Sequence, residues 1–573
     1  MVVLGNPPYS GHSANASRDK DGKLNFIGKL LNEYYFVDGA PLGERNPKWL
    51  QDDYVKFIRF GEWRINQTGH GILAFITNHG YLDNPTFRGM RQHLMKTFDE
   101  IYVLDLHGNS KKKEVAPDGS KDENVFDIQQ GVAIIIAIKN VDKTKTSLLK
   151  HSNMWGTRET KYSELFESNI NTINWTNVKN NKPFYLFLHQ NEQTRTEFDL
   201  FWKITNVMPN NVIGIFTARD NLTIQWEYKD VLPNIKHFIS LPEEVARTYY
   251  DLGPDVRDWK VAFAQKDIRE TGISENNIVR LYYRPFDIRY SYYTGRSRGY
   301  MCMPRQENIK PIYSGDNLVM GIGRQGGAVS KDQWDLLTCF KEIPDLNGFR
   351  RGGVQAFPLY LYTTPEQTAG TLFAQTETTR RPNLAPAFID EFSRKLGLAF
   401  IQDGQGDLKT TFGPEDVFYY AYAVFHSPTY RSRYAEFLKI DFPRLPLTSD
   451  RGLFAALVPL GKELVQLHLL SSAAVENFIT TYPVAGGSIV EKVSYVDARV
   501  YINASQYFGG VPAEVWNFKI GGYQVCEKWL KDRKGRALSS EDILHYQRVV
   551  VALQQTIRLM GEVDATIPAW PME

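Results

Sequence analysis

Cysteine is nearly missing from this 573-residue chain: Cys302, Cys339 and Cys526 stand far apart, with no CxxC pair and no histidine-rich segment beside them. That excludes a disulfide framework and a zinc knuckle, suits a reducing cytoplasm, and sets the expectation of no metal site. Long apolar runs are missing too. The longest, Val132 to Ile138, falls far short of the roughly 20 residues that span a bilayer, so no membrane partner is expected. Met1-Val2-Val3-Leu4-Gly5-Asn6 has no basic segment ahead of an apolar stretch, so no secretory signal is expected. Nor is one charge sign in excess: 67 Lys and Arg face 65 Asp and Glu, for a net +2. A uniformly basic nucleic-acid coat is excluded, whereas a local basic cleft is not. No internal repeat is present.

What remains is a multidomain globular chain. It is 42% hydrophobic and 23% charged, which excludes wholesale disorder. Its length corresponds to about three to four domains at roughly 150 residues each. Aromatic residues are plentiful, with 33 Phe, 31 Tyr and 11 Trp. Such side chains fill cores or serve as flat platforms for other flat groups.

The first nine residues carry the sharpest local signal. Val2 to Gly5 is a short apolar run of the kind that forms a buried parallel strand. It leads into Asn6-Pro7-Pro8-Tyr9, where two prolines end the strand and stiffen the backbone. Ligands of doubly wound α/β sheets sit beyond the carboxyl ends of the strands. At such a place the Asn6 side-chain oxygen and the Pro7 carbonyl can each accept one N–H of a planar amine, and Tyr9 can stack on its ring. The plainer reading is a proline-stiffened turn with a surface tyrosine.

Downstream, residues 10 to 50 read as a long mobile loop with a short helix at Leu24 to Tyr35. Tyr54, Phe57, Ile58 and Ile65 recur at helical spacing, followed by a strand at Gly71 to Ile76. Phe87, Met90 and Leu94 mark another helix face, and strands follow at Ile101 to Leu106 and Gly131 to Ile138. This alternation describes the second half of a Rossmann-like sheet.

On these residues a resemblance can be stated. Asn6-Pro7-Pro8-Tyr9 resembles the catalytic motif of amino-methyltransferases that use S-adenosylmethionine, and Gly71 to Met95 and Val125 to Val132 resemble later motifs of DNA adenine-N6 methyltransferases. Tyr283 to Tyr290, Phe357 to Tyr362, Ser427 to Pro446 and Val515 to Arg536 resemble the target-recognition region of single-polypeptide type I (type ISP) restriction-modification enzymes. The resemblance implies a catalytic half over residues 1–175. A mixed α+β recognition region with a helical C-terminal part would occupy 176–573, subdivided near 363–386. It implies adenine N6 as the acceptor, double-stranded DNA as the partner, Asn6, Pro7, Pro8 and Tyr9 as the catalytic set, and Phe126 as a second stacking aromatic. A core role at a strand entrance is the alternative for Phe126.

In the recognition region, basic residues interleave with aromatics. Arg284, Arg289 and Arg298 lie among Tyr282 to Tyr300, and Lys531 and Arg533 form a second basic stretch. Such clusters grip phosphates or read guanine edges, or else simply form a solvated face. Gly321-Ile322-Gly323-Arg324-Gln325-Gly326 matches GxGxxG but lacks the strand-turn-helix context of a dinucleotide site. The resemblance instead places Arg324 in the recognition region as a DNA contact.

The resemblance also implies a glycine-rich cofactor turn ahead of the tetrapeptide, and only five residues precede Asn6 here. The expectation is therefore an incomplete catalytic domain. It would bind S-adenosylmethionine poorly, methylate little alone, and need an upstream-encoded partner. The competing expectations are a non-catalytic, sequence-specific DNA-binding module and a protein or rRNA amino-methyltransferase.

Overall fold

The computed structural model describes residues 1–8, 13–44, 47–110, 114–141, 147–179, 182–324, 334–350, 353–363 and 379–572. Tyr9, the Lys111–Lys113 run and most of 363–386 lie outside the described residues. The chain forms two compact units, Met1–Glu192 and Gln193–Gln325 with Asp332–Glu573. Among the described residues no helix is long and apolar enough to cross a membrane.

The first unit is built on one six-stranded sheet. Its strands are β1 (Val2–Gly5), β2 (Gly71–Asn78), β3 (Glu100–Asp105), β4 (Val132–Lys139), β5 (Leu148–Asn153) and β6 (Thr176–Asn177). The order across the sheet is β1-β2-β4-β3-β5-β6. β1 runs parallel to β2 with Gly5 opposite Phe75, and β3 runs parallel to β5. β4 lies antiparallel between β2 and β3. The carboxyl ends of β1, β2 and β3 therefore share one edge of the sheet.

Among the described residues, four α-helices flank the sheet: α1 (Phe26–Leu31), α2 (Asp53–Thr68), α3 (Arg88–Thr97) and α4 (Arg158–Glu167). Tyr54, Ile58 and Ile65 of α2 and Met90 and Leu94 of α3 are buried against Leu73, Phe75, Ile101, Val103 and Ile135. Side chains that alternate along a strand point to one face, so this row forms a single core layer. Phe57 turns outward instead, at 42% exposure. Gly61 allows α2 to approach the sheet, because a Cβ there would meet Leu73. Residues 10–50 do not behave as one loop: Leu31, Tyr34, Leu42 and Leu50 are buried in the same core. The opposite face of the sheet carries a smaller cluster of Leu104, Leu106, Val125, Val132 and Met154.

The second unit is a mixed α/β assembly of several small sheets. In one, β7 (Val212–Ile213), β14 (Gln355–Pro358), β11 (Val319–Ile322) and β12 (Leu337–Phe340) pair antiparallel in that order. In another, β8 (Ile224–Gln225), β10 (Asp287–Tyr292), β9 (Ile278–Arg284) and β13 (Ile343–Pro344) are neighbours. Gly321 of the GxGxxG match sits in β11, where a Cβ would meet Phe340 and Thr338, so this glycine serves close packing.

A helical layer completes this unit, with α5 (Pro414–His426), α6 (Arg451–His468) and α7 (Ser540–Thr566). Gly461 brings α6 onto α5, since a Cβ there would collide with the Tyr419 carbonyl. Ser539 caps α7: its hydroxyl accepts the Asp542 N–H, and the Asp542 carboxylate accepts the Ser539 N–H, both at 3.0 Å. Cys302, Cys339 and Cys526 are buried free thiols.

Candidate functional site

Asn6, Pro7 and Pro8 leave the carboxyl end of β1, with Asn6 and Pro8 exposed and Pro7 buried. Gly5 lets the chain pass the Phe75 ring, which a Cβ would approach to 3.3 Å. β1 is an edge strand among the described residues, and its apolar Val2 and Leu4 are 68% and 79% exposed.

The same sheet edge carries His79 directly after β2 and His107 just beyond β3, and Asp105 sits between the two. Its Oδ1 lies 3.0 Å from His79 Nδ1 and accepts the His107 N–H at 2.9 Å. Burial alone would raise the Asp105 carboxyl, but the two imidazoles and this N–H hold it well below the usual carboxylate range. His107 stacks on Trp155 with an interplanar angle of 11°. Burial pushes His151, on β5, down to about 4.

Phe126 lies in a loop clamped from several sides. Arg158 Nε donates to the Asn124 carbonyl at 2.8 Å, and Arg158 Nη2 donates to that of Phe126 at 3.0 Å. The Tyr162 hydroxyl donates to the Val125 carbonyl, and the Phe126 N–H donates to Asn124 Oδ1 at 2.9 Å. The ring is half-buried against the smaller apolar cluster.

A buried ion pair supports this loop. Lys161 Nζ meets Asp122 Oδ1 at 2.6 Å with both side chains at 0% exposure. The Lys161 ammonium also donates to the Leu106 and Glu123 carbonyls, and Asp122 accepts the N–H groups of Gly108 and Gly156. Gly108 has φ +79°, and a Cβ there would come within 2.4 Å of Asn124 backbone.

In the second unit, three segments far apart in sequence, around Trp226, Tyr283 to Arg289 and Trp529 to Arg533, form one cation–aromatic stack. The Arg289 guanidinium lies 3.7 Å from the Trp226 ring and 3.9 Å from that of Tyr283. Arg284 covers Tyr283 at 3.9 Å, and Arg533 covers Trp529 at 3.4 Å. Asp287 joins the last two segments, 2.9 Å from Arg289 and 3.1 Å from Arg533. Burial would raise its carboxyl, but these guanidiniums hold it below its ordinary value. Arg284 pairs with Asp345 at 3.0 Å.

Arg284, Arg289 and Arg533 are thus buried and charge-paired, neither a solvated face nor cations presented to solvent. Arg298 is exposed and lies 3.4 Å from Asp258, and Lys531 is exposed and bonded to Glu527 at 2.7 Å. Arg324 is exposed, 5.4 Å from the Phe442 ring. Tyr282, Tyr292, Tyr293 and Tyr300 are core residues. Sequence reading missed His79, Asp105, His107, Arg158 and Lys161. The available signal was Asp105-Leu106-His107-Gly108 at the end of a buried strand.

Residues 206–562 match the family model described as the type ISP C-terminal specificity domain. Among solved structures the chain is similar to the ATP-dependent type ISP restriction-modification enzyme LlaBIII bound to DNA. That match has 21% identity and a TM-score of 0.72, covering 100% of this chain and 37% of that one. It is similar to the DrdV–DNA complex at 21% identity and TM-score 0.69, covering 98% and 56%. A nuclease-deletion mutant of the type ISP enzyme LlaGI with a DNA substrate mimic matches at 20% identity and TM-score 0.66, covering 100% and 53%. These likenesses are of fold, and the chain spans between 37% and 56% of the length of those proteins. No curated protein matches it. With the family model covering well over half of its length, the chain belongs to the type ISP C-terminal specificity-domain family.

Proposed function

We propose that the second unit is a target-recognition region for double-stranded DNA, and that the first is the acceptor-side half of a Rossmann-like DNA adenine-N6 methyltransferase. Together they would form part of a restriction-modification enzyme. The observation that carries this reading is Asn6-Pro7-Pro8 at the carboxyl end of a parallel strand, in a chain whose residues 206–562 match the specificity family. The DNA-bound state of the three similar structures supports the choice of partner.

The exocyclic N6 of adenine is a poor nucleophile because its lone pair is delocalised into the ring. Hydrogen bonds from the amine to the Asn6 side-chain oxygen and the Pro7 carbonyl favour a pyramidal nitrogen and disperse its developing positive charge. Catalysis is then positioning plus electrostatic stabilisation. The base must leave the duplex to reach these groups. Tyr9 stacks on it, and Phe126, held by its backbone clamp, borders it from another side. S-adenosylmethionine would supply the methyl group. The described residues of the first unit offer no glycine-rich turn between a parallel strand and a helix, with a carboxylate on the next strand. In this reading an upstream-encoded portion completes the cofactor pocket and is the natural partner. For DNA, exposed Arg298, Arg324 and Lys531 are the direct contacts, while the buried Arg284, Arg289 and Arg533 shape the surface that presents them.

The test is a methylation assay on duplex DNA with labelled cofactor. It uses the chain alone and co-expressed with the polypeptide encoded immediately upstream. We expect N6-methyladenine in the co-expressed form and a loss of about 100-fold or more for Asn6→Ala, the scale of removing one oriented polar group. Specific DNA binding without methylation in either form would favour a non-catalytic module. Absence of both DNA binding and methylation would refute the reading.

A further inference from the structure

The carboxyl edge of the sheet carries side chains for which methyl transfer to an amine has no use. His79, His107 and Glu114 each bring one ligating atom, two imidazole nitrogens and a carboxylate oxygen, all within 4.8 Å of one another. Both histidines are buried and Glu114 is half-buried.

We propose that His79, His107 and Glu114 bind one divalent transition-metal ion of the zinc class. The ion would tie the ends of β2 and β3 to the loop that carries Phe126. Two imidazoles and a carboxylate suit zinc in tetrahedral or five-coordinate geometry, with one further position to fill.

The surroundings fit this set. Asp105 Oδ1, 3.0 Å from His79 Nδ1, fixes that nitrogen as the hydrogen-bond donor and leaves the lone pair on Nε2. Asn153 Oδ1, 2.9 Å from His107 Nε2, accepts the proton of that nitrogen and leaves the His107 lone pair on Nδ1. The carboxylate behind the His79 imidazole is the outer-shell arrangement that orients metal-binding histidines. Trp155 fixes the plane of the His107 ring. Residue 131 is glycine, and any Cβ there would stand 2.3 Å from His79 Cε1 and 2.5 Å from Nε2, filling the space beside the ligating edge. The Asn109 side-chain amide is 3.3 Å from His79 Nε2. Turned over, it presents its oxygen as the further donor. Glu114 is placed by the Asn109 N–H, which donates to its Oε2 at 2.8 Å.

This inference stands apart from the methyltransferase reading, because binding is read without turnover. The full chain is stripped with a chelator, freed of it, and titrated with Co2+ and then Zn2+. One equivalent of Co2+ should give the intense visible bands of a four- or five-coordinate ion, and Zn2+ should displace it. Bound Zn2+ should raise the melting temperature of the first unit. His79→Gln and Glu114→Gln should each weaken binding by at least about 10-fold, and Asp105→Asn by about 10–100-fold. His189→Gln, at an exposed histidine, should change nothing. The pale spectrum of a six-coordinate ion, or unchanged affinity in both His79→Gln and Glu114→Gln, overturns the site. If the variants do not fold, X-ray absorption on the zinc-loaded wild-type chain decides. Two imidazoles in the first shell support the site, and a shell without them overturns it.

Discussion

Acidification from pH 8 to 5 strikes first at the buried histidines in the helical layer of the second unit. His468, at the end of α6, has Nδ1 against the Tyr422 hydroxyl and Nε2 3.0 Å from Thr556 Oγ1. Thr556 gives its own proton to the Ala552 carbonyl at 2.7 Å, so its oxygen accepts the proton of His468 Nε2. Nδ1 therefore holds the lone pair that accepts from Tyr422, and a second proton there displaces that hydrogen bond. Burial, and then the nearby Arg431 guanidinium, push His468 down to about 3.

The unfolded chain takes up this proton near the ordinary histidine value of about 6.5. Below that pH the unfolded state binds more protons, so the contribution of His468 is complete above pH 6.5 and is lost as pH falls towards 3. At pH 5 the loss is about 2 kcal/mol for this one residue, out of a typical total of about 5–15 kcal/mol. His426, held low by burial and by Arg431, acts in the same direction. Asp345 opposes them, because burial pushes its carboxyl up to about 6 and acid then favours the fold.

The difference between wild type and His468→Gln cancels Asp345 and the other carboxylates, which both proteins share, and takes in any change in His426, whose ring lies 5.3 Å from that of His468. Urea unfolding followed by tryptophan fluorescence at pH 8, 7, 6 and 5 reads it directly. Over that span the wild type should lose about 2 kcal/mol more than the variant. Parallel pH dependences would refute the reasoning.

Two further substitutions probe the buried charges. Asp287→Ala leaves the Arg289 and Arg533 guanidiniums without their shared carboxylate and should cost about 3–5 kcal/mol, read as a lower urea midpoint; an unchanged midpoint would mean that aromatic stacking alone holds them. Lys161→Met strands the buried Asp122 carboxylate and should destabilise the first unit by a similar amount, about 3–5 kcal/mol. In that variant the Gly108 and Gly156 amides should exchange hydrogen faster, and unchanged exchange would count against the ion pair as the anchor of the loop.

Local features were legible in the sequence because local rules set them. The apolar run ending in Asn6-Pro7-Pro8 becomes an edge strand and its stiff exit. The periodicity of Tyr54, Ile58 and Ile65 becomes α2, and Ser539 with Asp542 caps α7. Pairing was not legible. Val132–Lys139 reads as one more apolar strand, and nothing in its own residues says that it lies antiparallel between β2 and β3. The basic-aromatic segments were visible, but the carboxylates facing them were not. An arginine read as presented to DNA looks the same in sequence as one buried on Asp287.

The sequence by itself determined where strands and helices form, the rigid Asn-Pro-Pro exit, and the resemblance to the type ISP specificity family that the family model bears out. Those depend on periodicity, turn chemistry and residue order, which act over a few positions at a time. Tertiary structure alone decided which cations are neutralised inside and which reach solvent. It also brought His79, Asp105 and His107 to one end of the sheet. Burial and ion pairing are set by strand order and loop closure, which join residues that the chain keeps far apart.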